Sequence, residues 1–173
     1  EGNNRVWGSA LLGVSYGFMR QQSETLGLGD PPFEIPKFRF VEMALAIEQG
    51  KTNKEARVFL LEEEIRPEVE GPFKKYINND SAKLFLFFND EDNHRAEFLA
   101  FTQHVQYFKT KKCVFVSDYQ GELGGGKTLL TDPQIVTKRE LGPVFTSGNI
   151  PEAFENFEKE HECNKFCEFF RVP

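Results

Sequence analysis

Three residues of types that bind metals lie close together near the end of the chain, in the pattern His161-x-Cys163-x-x-x-Cys167. A structural zinc site is tetrahedral and takes four nitrogen or sulfur ligands from the protein. Three local ligands nearly complete that shell, so the fourth has to come from another part of the sequence. The pattern therefore predicts a structural metal site, which requires a fold that brings a distant residue to this segment.

The fourth ligand has three candidates. Cys113 lies in an apolar run and is expected to be a core thiol. His94 lies in an acidic, amide-rich run and is expected in solvent, whereas His104 has apolar neighbours and is better placed to point inward. The alternative is that Cys163 and Cys167 are simply buried thiols beside a surface histidine, and spacing alone does not decide between these interpretations.

Length and composition limit what the chain can be. A chain of 173 residues is long enough to form one domain with its own core. Its 19 Phe, against one Trp and four Tyr, predict a core dominated by packed phenyl rings. The 27 acidic and 21 basic residues give a net charge of −6, which argues against nucleic acid as a partner because a phosphate backbone requires a basic surface.

The sequence also indicates a location. No apolar run approaches the roughly 18 residues that span a bilayer, so no membrane partner is expected. Three Cys do not make a disulfide framework and favour a reducing, cytoplasmic location. The chain begins at Glu1, with neither Met nor a secretory signal, which indicates a fragment of a longer protein.

Hydrophobic periodicity gives a coarse map of the secondary structure. Three segments have helical character, two have strand character, and one fits either type. The helices are predicted at residues 5–26, at 90–108 and from Pro151; the strands at 56–65 and within 111–121; and the ambiguous segment at 37–49. A loop that contains Pro and Gly, at 66–72, is the plausible internal boundary.

One segment matches a phosphate-binding motif. Gly121 to Thr128 fits the pattern G-x-x-x-x-G-K-[ST] and follows a predicted strand. A functional P-loop also requires a helix that begins at the Lys, because the N-terminal amides of that helix complete the phosphate site. Pro133 follows Thr128 closely, and the residues between them have extended character. We therefore favour a flexible glycine loop over a P-loop nucleotidase.

Two acidic residues follow short apolar segments in the second half of the chain. Asp118 and Gln120 come after a predicted buried strand, and Asp132 comes directly after Thr131. Carboxylates delivered to one edge can bind Mg²⁺ and orient a hydroxyl group. Both Asp residues also suit ordinary turns, and composition alone favours that interpretation. A second polar cluster, whose lysines suit a phosphate, is Lys74, Lys75, Asn78 and Asn79.

Several segments, in order along the chain, resemble motifs of the alpha-kinase family of atypical protein kinases. ARVFLLEEEI resembles the family's hinge strand, and GPFKKYINND resembles its G-x-F-x-K-Y-x-N-N segment. LAFTQHVQY resembles the A-F-S-H segment; VSDYQG and LLTDPQIVT resemble D-x-Q-G and L-T-D-P-Q-I; and HECNKFC resembles H-x-C-N-x-x-C. The resemblance covers about residues 56–173, and the sequence looks most similar to the fungal members of the family.

The resemblance implies a role for each matching residue. It implies that Asp118 positions or deprotonates the substrate hydroxyl, and that Gln120 and Asp132 bind Mg²⁺. The residues implied for nucleotide binding are Lys75, Asn79, Thr131 and the backbone from Glu62 to Glu64; those implied for structural zinc are His104, His161, Cys163 and Cys167.

The resemblance also implies an α+β, protein-kinase-like fold of two lobes. Residues 1–70 would form a partial N-lobe with the hinge strand, and residues 71–173 a catalytic C-lobe stabilised by zinc. The implied activity is that of a serine/threonine protein kinase, which uses ATP, Mg²⁺ and a structural Zn²⁺ and acts on a protein substrate.

Three departures from the family pattern limit this interpretation. In the family, a Lys on an N-terminal strand binds the nucleotide phosphates. No candidate for that strand is found before residue 37, so we expect either a chain incomplete at its N-terminus or a pseudo-kinase. A pseudo-kinase would act as a zinc-stabilised module that binds nucleotide or a partner. The spacing of 14 from Asp118 to Asp132 is expanded by GELGGGK, and the family's second glycine-rich loop is reduced to Ser147-Gly148-Asn149.

Overall fold

The computed structural model describes residues 2–49, 57–66, 72–124, 127–142, 144–145 and 150–173. These residues contain four α-helices, eight strands and a short 3-10 helix at Arg139–Leu141. The helices are α1 Gly2–Leu26, α2 Asp90–Lys109, α3 Pro151–Glu160 and α4 Lys165–Phe169. The strands are β1 Phe38–Phe40, β2 Met43–Ile47, β3 Val58–Glu62, β4 Lys74–Lys75, β5 Val114–Ser117, β6 Gln120–Gly124, β7 Lys127–Thr131 and β8 Gln134–Thr137.

The strands form one four-stranded sheet and two separate pairs. The larger sheet has the order β1-β7-β6-β4, in which β1 is parallel to β7 and the other neighbours are antiparallel. The pairs β2–β3 and β5–β8 are both antiparallel. Helices combined with a mostly antiparallel set of strands confirm the predicted α+β class.

The predicted elements are present near their predicted positions. The three predicted helices are α1, α2 and α3, and the predicted buried strand within 111–121 is β5. The ambiguous segment forms β1 and β2, and the strand predicted from residue 56 is β3. Residue 56, most of the 66–72 boundary and the Ser147-Gly148-Asn149 loop lie outside the described residues. The described helices include none with the length and hydrophobicity of a membrane span.

The described residues of the glycine-rich segment belong to two paired antiparallel strands. Gly121 lies in β6, and β7 begins at Lys127, where a P-loop would need the first turn of a helix. A Cβ atom on Gly121 would lie 1.8 Å from the carbonyl oxygen of Leu129 on β7. The expectation of a flexible loop is therefore wrong for the described part of this segment, since Gly121 is needed for the close approach of two paired strands.

Phenyl rings connect α2 to the large sheet and to α4. Phe98 of α2 stacks on Phe38 of β1 with a centroid distance of 6.0 Å, and it contacts Phe166 of α4 edge-on at 5.3 Å. Phe166 also packs against Phe101 at 5.9 Å, and all four rings are buried. The predicted phenyl-rich core is confirmed. It holds the helix that carries His104 against α4.

Two expectations about single residues need correction. Cys113 does not lie inside the apolar strand, because β5 begins at Val114 and the half-buried Cys113 precedes it. His94 is half-buried rather than fully solvated. Its ring lies 2.8 Å from the carbonyl oxygen of Glu34 and packs against Phe166 at 5.1 Å.

Candidate active site and metal centre

Three neighbouring strands place three polar residues side by side. In the register of the large sheet, Lys75 of β4 pairs with Gln120 of β6, which pairs with Thr131 of β7. Residues paired in this way have their side chains on the same face, on strands about 4.8 Å apart. The expanded spacing between Asp118 and Asp132 does not separate the site residues, because the antiparallel pairing of β6 with β7 brings Gln120 opposite Thr131.

Two Asp residues occupy the corners where the chain passes from one sheet to another. Asp118 follows β5 and Asp132 follows β7, with φ angles of 57° and 45°. Asp adopts this left-handed conformation more readily than most residues, because its short side chain forms local hydrogen bonds. The strands before and after one corner pair with those of the other, β5 with β8 and β6 with β7, so the two corners are neighbours.

Lys75 and Asp118 form an ion pair. The Nζ atom of Lys75 lies 2.7 Å from Oδ1 of Asp118, and the Asp118 side chain is 7% exposed. The Lys75 side chain is 36% exposed, so solvent reaches one partner of the pair. A cation and a carboxylate in contact can meet a phosphate group and a hydroxyl proton, respectively.

Lys74 faces the opposite side of β4. It forms an ion pair with Asp92, a buried residue in the first turn of α2. Burial opposes ionisation of Asp92, but hydrogen bonds from Lys74 and from Asn89, the residue that caps α2, outweigh it and lower the pKa of Asp92. Lys74 therefore anchors β4 to α2 while its neighbour Lys75 faces Asp118.

The segment after β4 runs beside the end of β5. The Ser117 hydroxyl donates a hydrogen bond to the carbonyl oxygen of Asn78 at 2.7 Å. The Asn78 side-chain amide is engaged with Asp80, at 2.7 Å. Asn79, the residue that the resemblance implies in nucleotide binding, is half-buried and comes next in the chain.

A cavity of about 450 Å³ lies between α1, the β2–β3 pair and the Asp132 corner. Its walls combine apolar side chains with two carboxylates, a guanidinium and a hydroxyl group, a mixture typical of a ligand site. The cavity is lined by residues of β2, β3, β7 and the Asp132 corner, among them Met43, Leu60, Glu62, Thr131 and Asp132. Lys75 and Gln120 do not line the cavity and lie along the sheet beyond Thr131.

Arg5 of α1 also lines this cavity, and the sequence analysis missed it. Its guanidinium donates hydrogen bonds to the carbonyl oxygen of Val41 at 2.5 Å and to the Ser9 hydroxyl at 2.6 Å. Arg5 therefore holds the beginning of α1 against the connection from β1 to β2. One Arg in an amphipathic helix gives no signal in the sequence that could have identified this role.

The hinge acids have different environments. Glu63 makes two hydrogen bonds of 2.6 Å with Arg39 and accepts a third from the backbone N–H of Glu42. These hydrogen bonds, led by that of Arg39, lower the pKa of Glu63 to about 2. Glu62 lines the cavity, whereas Glu64 is exposed and contacts Arg66 at 3.2 Å. The sequence analysis missed the contact between Arg39 and Glu63, since the two residues are 24 positions apart.

Four potential metal ligands converge at the other end of α2. One ligand atom each from His104, His161, Cys163 and Cys167 lies within 4.8 Å of the other three. The Cys163 Sγ is 3.8 Å from Nδ1 of His104, and Nε2 of His161 is 4.0 Å from Cys163 Sγ and 3.8 Å from Cys167 Sγ. Zinc bonds of about 2.3 Å to sulfur and 2.1 Å to nitrogen imply tetrahedral ligand separations of roughly 3.4–3.8 Å. The donor atoms therefore suit a structural zinc ion, and the three separations given are at or slightly above the wide end of this range.

Burial favours the neutral forms of two side chains in this cluster. Burial raises the pKa of the Cys167 thiol to about 12. Burial and the neighbouring His104 ring lower the pKa of His161 to about 4. The His104 ring is hydrogen-bonded to the backbone of Pro173, which fixes the orientation of a ligand. A bound divalent cation would favour the thiolate and neutral imidazole forms.

The convergence joins distant parts of the chain. His104 comes from the C-terminal half of α2, whereas His161 directly follows α3, Cys163 lies between α3 and α4, and Cys167 lies within α4. Of the three candidates for the fourth ligand, His104 is the one in the cluster.

The fold and sequence are similar to those of known kinases. An alpha kinase from Entamoeba histolytica has a TM-score of 0.58 and 20% identity, over 80% of this chain and 54% of that chain. The alpha-kinase domain of myosin heavy chain kinase A in complex with AMP has a TM-score of 0.57 and 22% identity, over 100% of this chain and 61% of that chain. An inactive variant of that domain in complex with ATP has a TM-score of 0.54 and 23% identity, over 89% and 54%.

These similarities have a defined extent. The chain spans between 54% and 61% of the length of these solved domains. No curated protein matches it by sequence. The model of the alpha-kinase family matches residues 28–167, which is most of the chain and includes both Asp corners and the four clustered ligands. This chain belongs to the alpha-kinase family.

Proposed function

We propose that this chain forms the catalytic part of a protein kinase that transfers the γ-phosphoryl group of ATP to a serine or threonine hydroxyl. The observation that carries the proposal is the meeting of the two Asp corners beside the row of Lys75, Gln120 and Thr131. Phosphoryl transfer depends mainly on positioning and on neutralising charge, and this arrangement supplies groups for both.

In the proposed reaction, Asp118 orients the acceptor hydroxyl and accepts its proton. The hydroxyl oxygen forms a bond to the γ-phosphorus while the bond from that phosphorus to the bridging oxygen breaks, and ADP leaves with the electron pair. Lys75, which contacts Asp118, would meet the transferring phosphoryl group. Asn79, on the segment beside β5, would contact the nucleotide or its metal.

The cavity beside Asp132 is the proposed nucleotide site. The backbone from Glu62 to Glu64 would contact the adenine, and Thr131 would lie beside the phosphates. Gln120 and Asp132 would hold Mg²⁺, which when bound neutralises phosphate charge. The AMP and ATP complexes of myosin heavy chain kinase A domains support a nucleotide as the ligand.

The four clustered ligands would hold a structural zinc ion. With all four positions taken by His104, His161, Cys163 and Cys167, no position remains for substrate, so the ion would contribute folding energy and no chemistry. It would connect α2 to α4, and the other end of α2 is connected to β4 through Asp92.

We further propose a protein substrate and a cytoplasmic location. The division into lobes at residues 70 and 71 and the fungal origin stay predictions.

A second candidate is a pseudo-kinase that binds nucleotide without transferring phosphate. The cation among the cavity-lining residues is Arg5, whose guanidinium already bonds to Val41 and Ser9. No lysine is among the described residues that line the cavity. In an active kinase, a cation beside the phosphates stabilises the charge that develops during transfer. This observation supports the second candidate until transfer is measured.

Two variants separate these candidates from each other and from a P-loop enzyme. We expect Asp132→Asn to abolish Mg²⁺-dependent transfer of labelled phosphate, because it removes a charged metal ligand. Lys127→Ala, which alters the rejected P-loop motif, should leave transfer unchanged. MgATP binding measured by calorimetry without any transfer would favour the pseudo-kinase. Loss of activity in Lys127→Ala alone would overturn the proposed site.

A further inference from the structure

Two side chains of α2, and that of its C-cap residue Thr110, bond to the edge of β5 that faces away from β8. In the β5–β8 pair, Lys138 N–H donates to the carbonyl oxygen of Cys113. Alternate residues of an antiparallel strand point their N–H and C=O groups toward the partner strand, so those of Val114 and Val116 point away from β8. The Thr110 hydroxyl lies 3.2 Å from the Val114 nitrogen and 2.9 Å from its carbonyl oxygen.

Two glutamines satisfy Val116 in the same way. The backbone N–H of Val116 donates to Oε1 of Gln106 at 2.8 Å, and its carbonyl oxygen accepts from Nε2 of Gln103 at 2.8 Å. Both glutamines are fully buried. Their amides therefore take the place that a neighbouring strand would occupy on this edge of β5.

These bonds lie on both sides of Asp118. Val116 is two residues before Asp118, and Tyr119 directly follows it. The Gln106 amide also donates to the Tyr119 hydroxyl at 3.1 Å, and the Thr102 hydroxyl lies 3.0 Å from the same atom. Asp118 itself has a φ of 57°, a conformation that its neighbours have to maintain.

We propose that Gln103 and Gln106 are positioning residues for Asp118, an inference that rests on the proposed kinase function. Both fix the backbone before Asp118 at Val116, and Gln106 also holds the hydroxyl of Tyr119, the residue after Asp118. Unpaired buried amide groups at Val116 would be costly, so loss of either glutamine shifts β5 or admits water at its edge. The carboxylate at the end of β5 then moves relative to Gln120 and Asp132.

The test compares Gln103→Met and Gln106→Met with Thr110→Val. Methionine keeps the length and flexibility of glutamine and lacks its hydrogen bonds. Thr110→Val removes the bonds to Val114, which lies on the same edge but is four positions from Asp118. For each variant, kcat, KM for ATP, the melting temperature and the amide exchange of residues 116–120 are measured.

We expect kcat to fall between about tenfold and a hundredfold in both methionine variants, as for a misplacement of about 1 Å, with KM for ATP nearly unchanged. Exchange of the 116–120 amides should become faster in these variants alone. In Thr110→Val the melting temperature should fall while kcat per folded molecule stays at the wild-type value. A purely structural role would lower the melting temperature in all three variants and leave kcat unchanged, which would overturn the proposal.

The same measurements distinguish failure of the kinase proposal from failure of the positioning proposal. A wild-type chain that transfers no phosphate would contradict the kinase proposal, and the exchange data would then decide the positioning proposal. Faster exchange of residues 116–120 in the methionine variants but not in Thr110→Val would support positioning. Equal exchange in all three variants would contradict it.

Discussion

Lys75 and Asp118 are in direct contact, with 2.7 Å between the ammonium nitrogen and a carboxylate oxygen, although 43 positions (118 − 75) separate them in the sequence. The neighbouring Lys74 pairs on the other face of β4 with the buried Asp92. Two adjacent lysines therefore have different partners, one at the candidate catalytic corner and one within the fold. This difference predicts opposite outcomes for the two substitutions.

We expect Lys75→Met to lower phosphate transfer about a hundredfold, because it removes the cation at the candidate catalytic corner. Its cost in stability should be smaller than that of Lys74→Met, because the Lys75 side chain is 36% exposed and the Lys74 side chain 22%. Lys74→Met should instead destabilise the fold on the order of 2 kcal/mol, because Asp92 loses a charged partner in a buried position. Steady-state kinetics and thermal unfolding of both variants check this. Equal effects of the two substitutions on activity would contradict the assignment of Lys75 to the site.

Metal analysis should find one zinc ion per chain. Chelation should destabilise the fold by at least about 5 kcal/mol, because metal binding and folding are coupled at a structural site. His104→Ala should lose the metal, whereas Cys113→Ser should keep it, since Cys113 lies outside the cluster. Elemental analysis after gel filtration measures both. Full zinc content in His104→Ala would remove this residue from the ligand set.

Two glycines of α1 give a matched test of how closely this helix approaches the Asp132 corner. A Cβ on Gly8 would lie 3.0 Å from Cγ of Pro133 and 3.2 Å from the Phe40 ring, while nothing lies within 4 Å of a Cβ on Gly13. Gly13→Ala should therefore stabilise the chain by about 0.5–1 kcal/mol.

Gly8→Ala should gain less than Gly13→Ala or destabilise the fold, and it should raise KM for MgATP because α1 moves away from Pro133. Urea unfolding and kinetics measure both effects. The same gain in stability in the two variants, with KM unchanged, would show that α1 does not press on this corner.

The Arg39–Glu63 contact predicts a dependence of stability on pH. The folded pKa of Glu63, about 2, lies below its ordinary value of 4.5, so the carboxylate stabilises the folded state above pH 4.5. That contribution is lost as the pH falls from 4.5 toward 2, and it is below about 1 kcal/mol because both side chains are about a third exposed.

Glu63→Gln and Arg39→Met should both reduce the loss of stability between pH 4.5 and 3, because each removes the contact that lowers the pKa. Denaturant unfolding at several pH values measures this slope. A wild-type slope in both variants would contradict the role of the contact.

Local patterns predicted much of the fold and of the site. Apolar periodicity located α2 and β5, and the His161, Cys163 and Cys167 spacing indicated three ligands of the cluster. His104 could be favoured as the fourth ligand because helical periodicity placed apolar neighbours around it. These features depend on residues a few positions apart, which a sequence displays directly.

Features that depend on pairing between distant segments could not be predicted. From the sequence, the residues inserted between Asp118 and Asp132 were expected to disturb the geometry of the site. The register that places Gln120 opposite Thr131 depends on the pairing of β6 with β7, which spacing does not reveal. Arg5 and Glu63 were missed for the same reason, since their partners lie in other elements. The sequence indicated extended character for the residues of β7, but it did not indicate that β7 pairs with β6.

Transfer of labelled phosphate from MgATP to a protein acceptor, by the wild-type chain and by Asp118→Asn in parallel, tests the central claim most directly. Asn keeps the size of Asp and cannot accept the proton, so the account predicts phosphoserine or phosphothreonine with the wild type and none with the variant. Equal transfer by the two chains would contradict the role of Asp118. Absence of transfer by both, with zinc and MgATP bound, would contradict the proposed kinase activity.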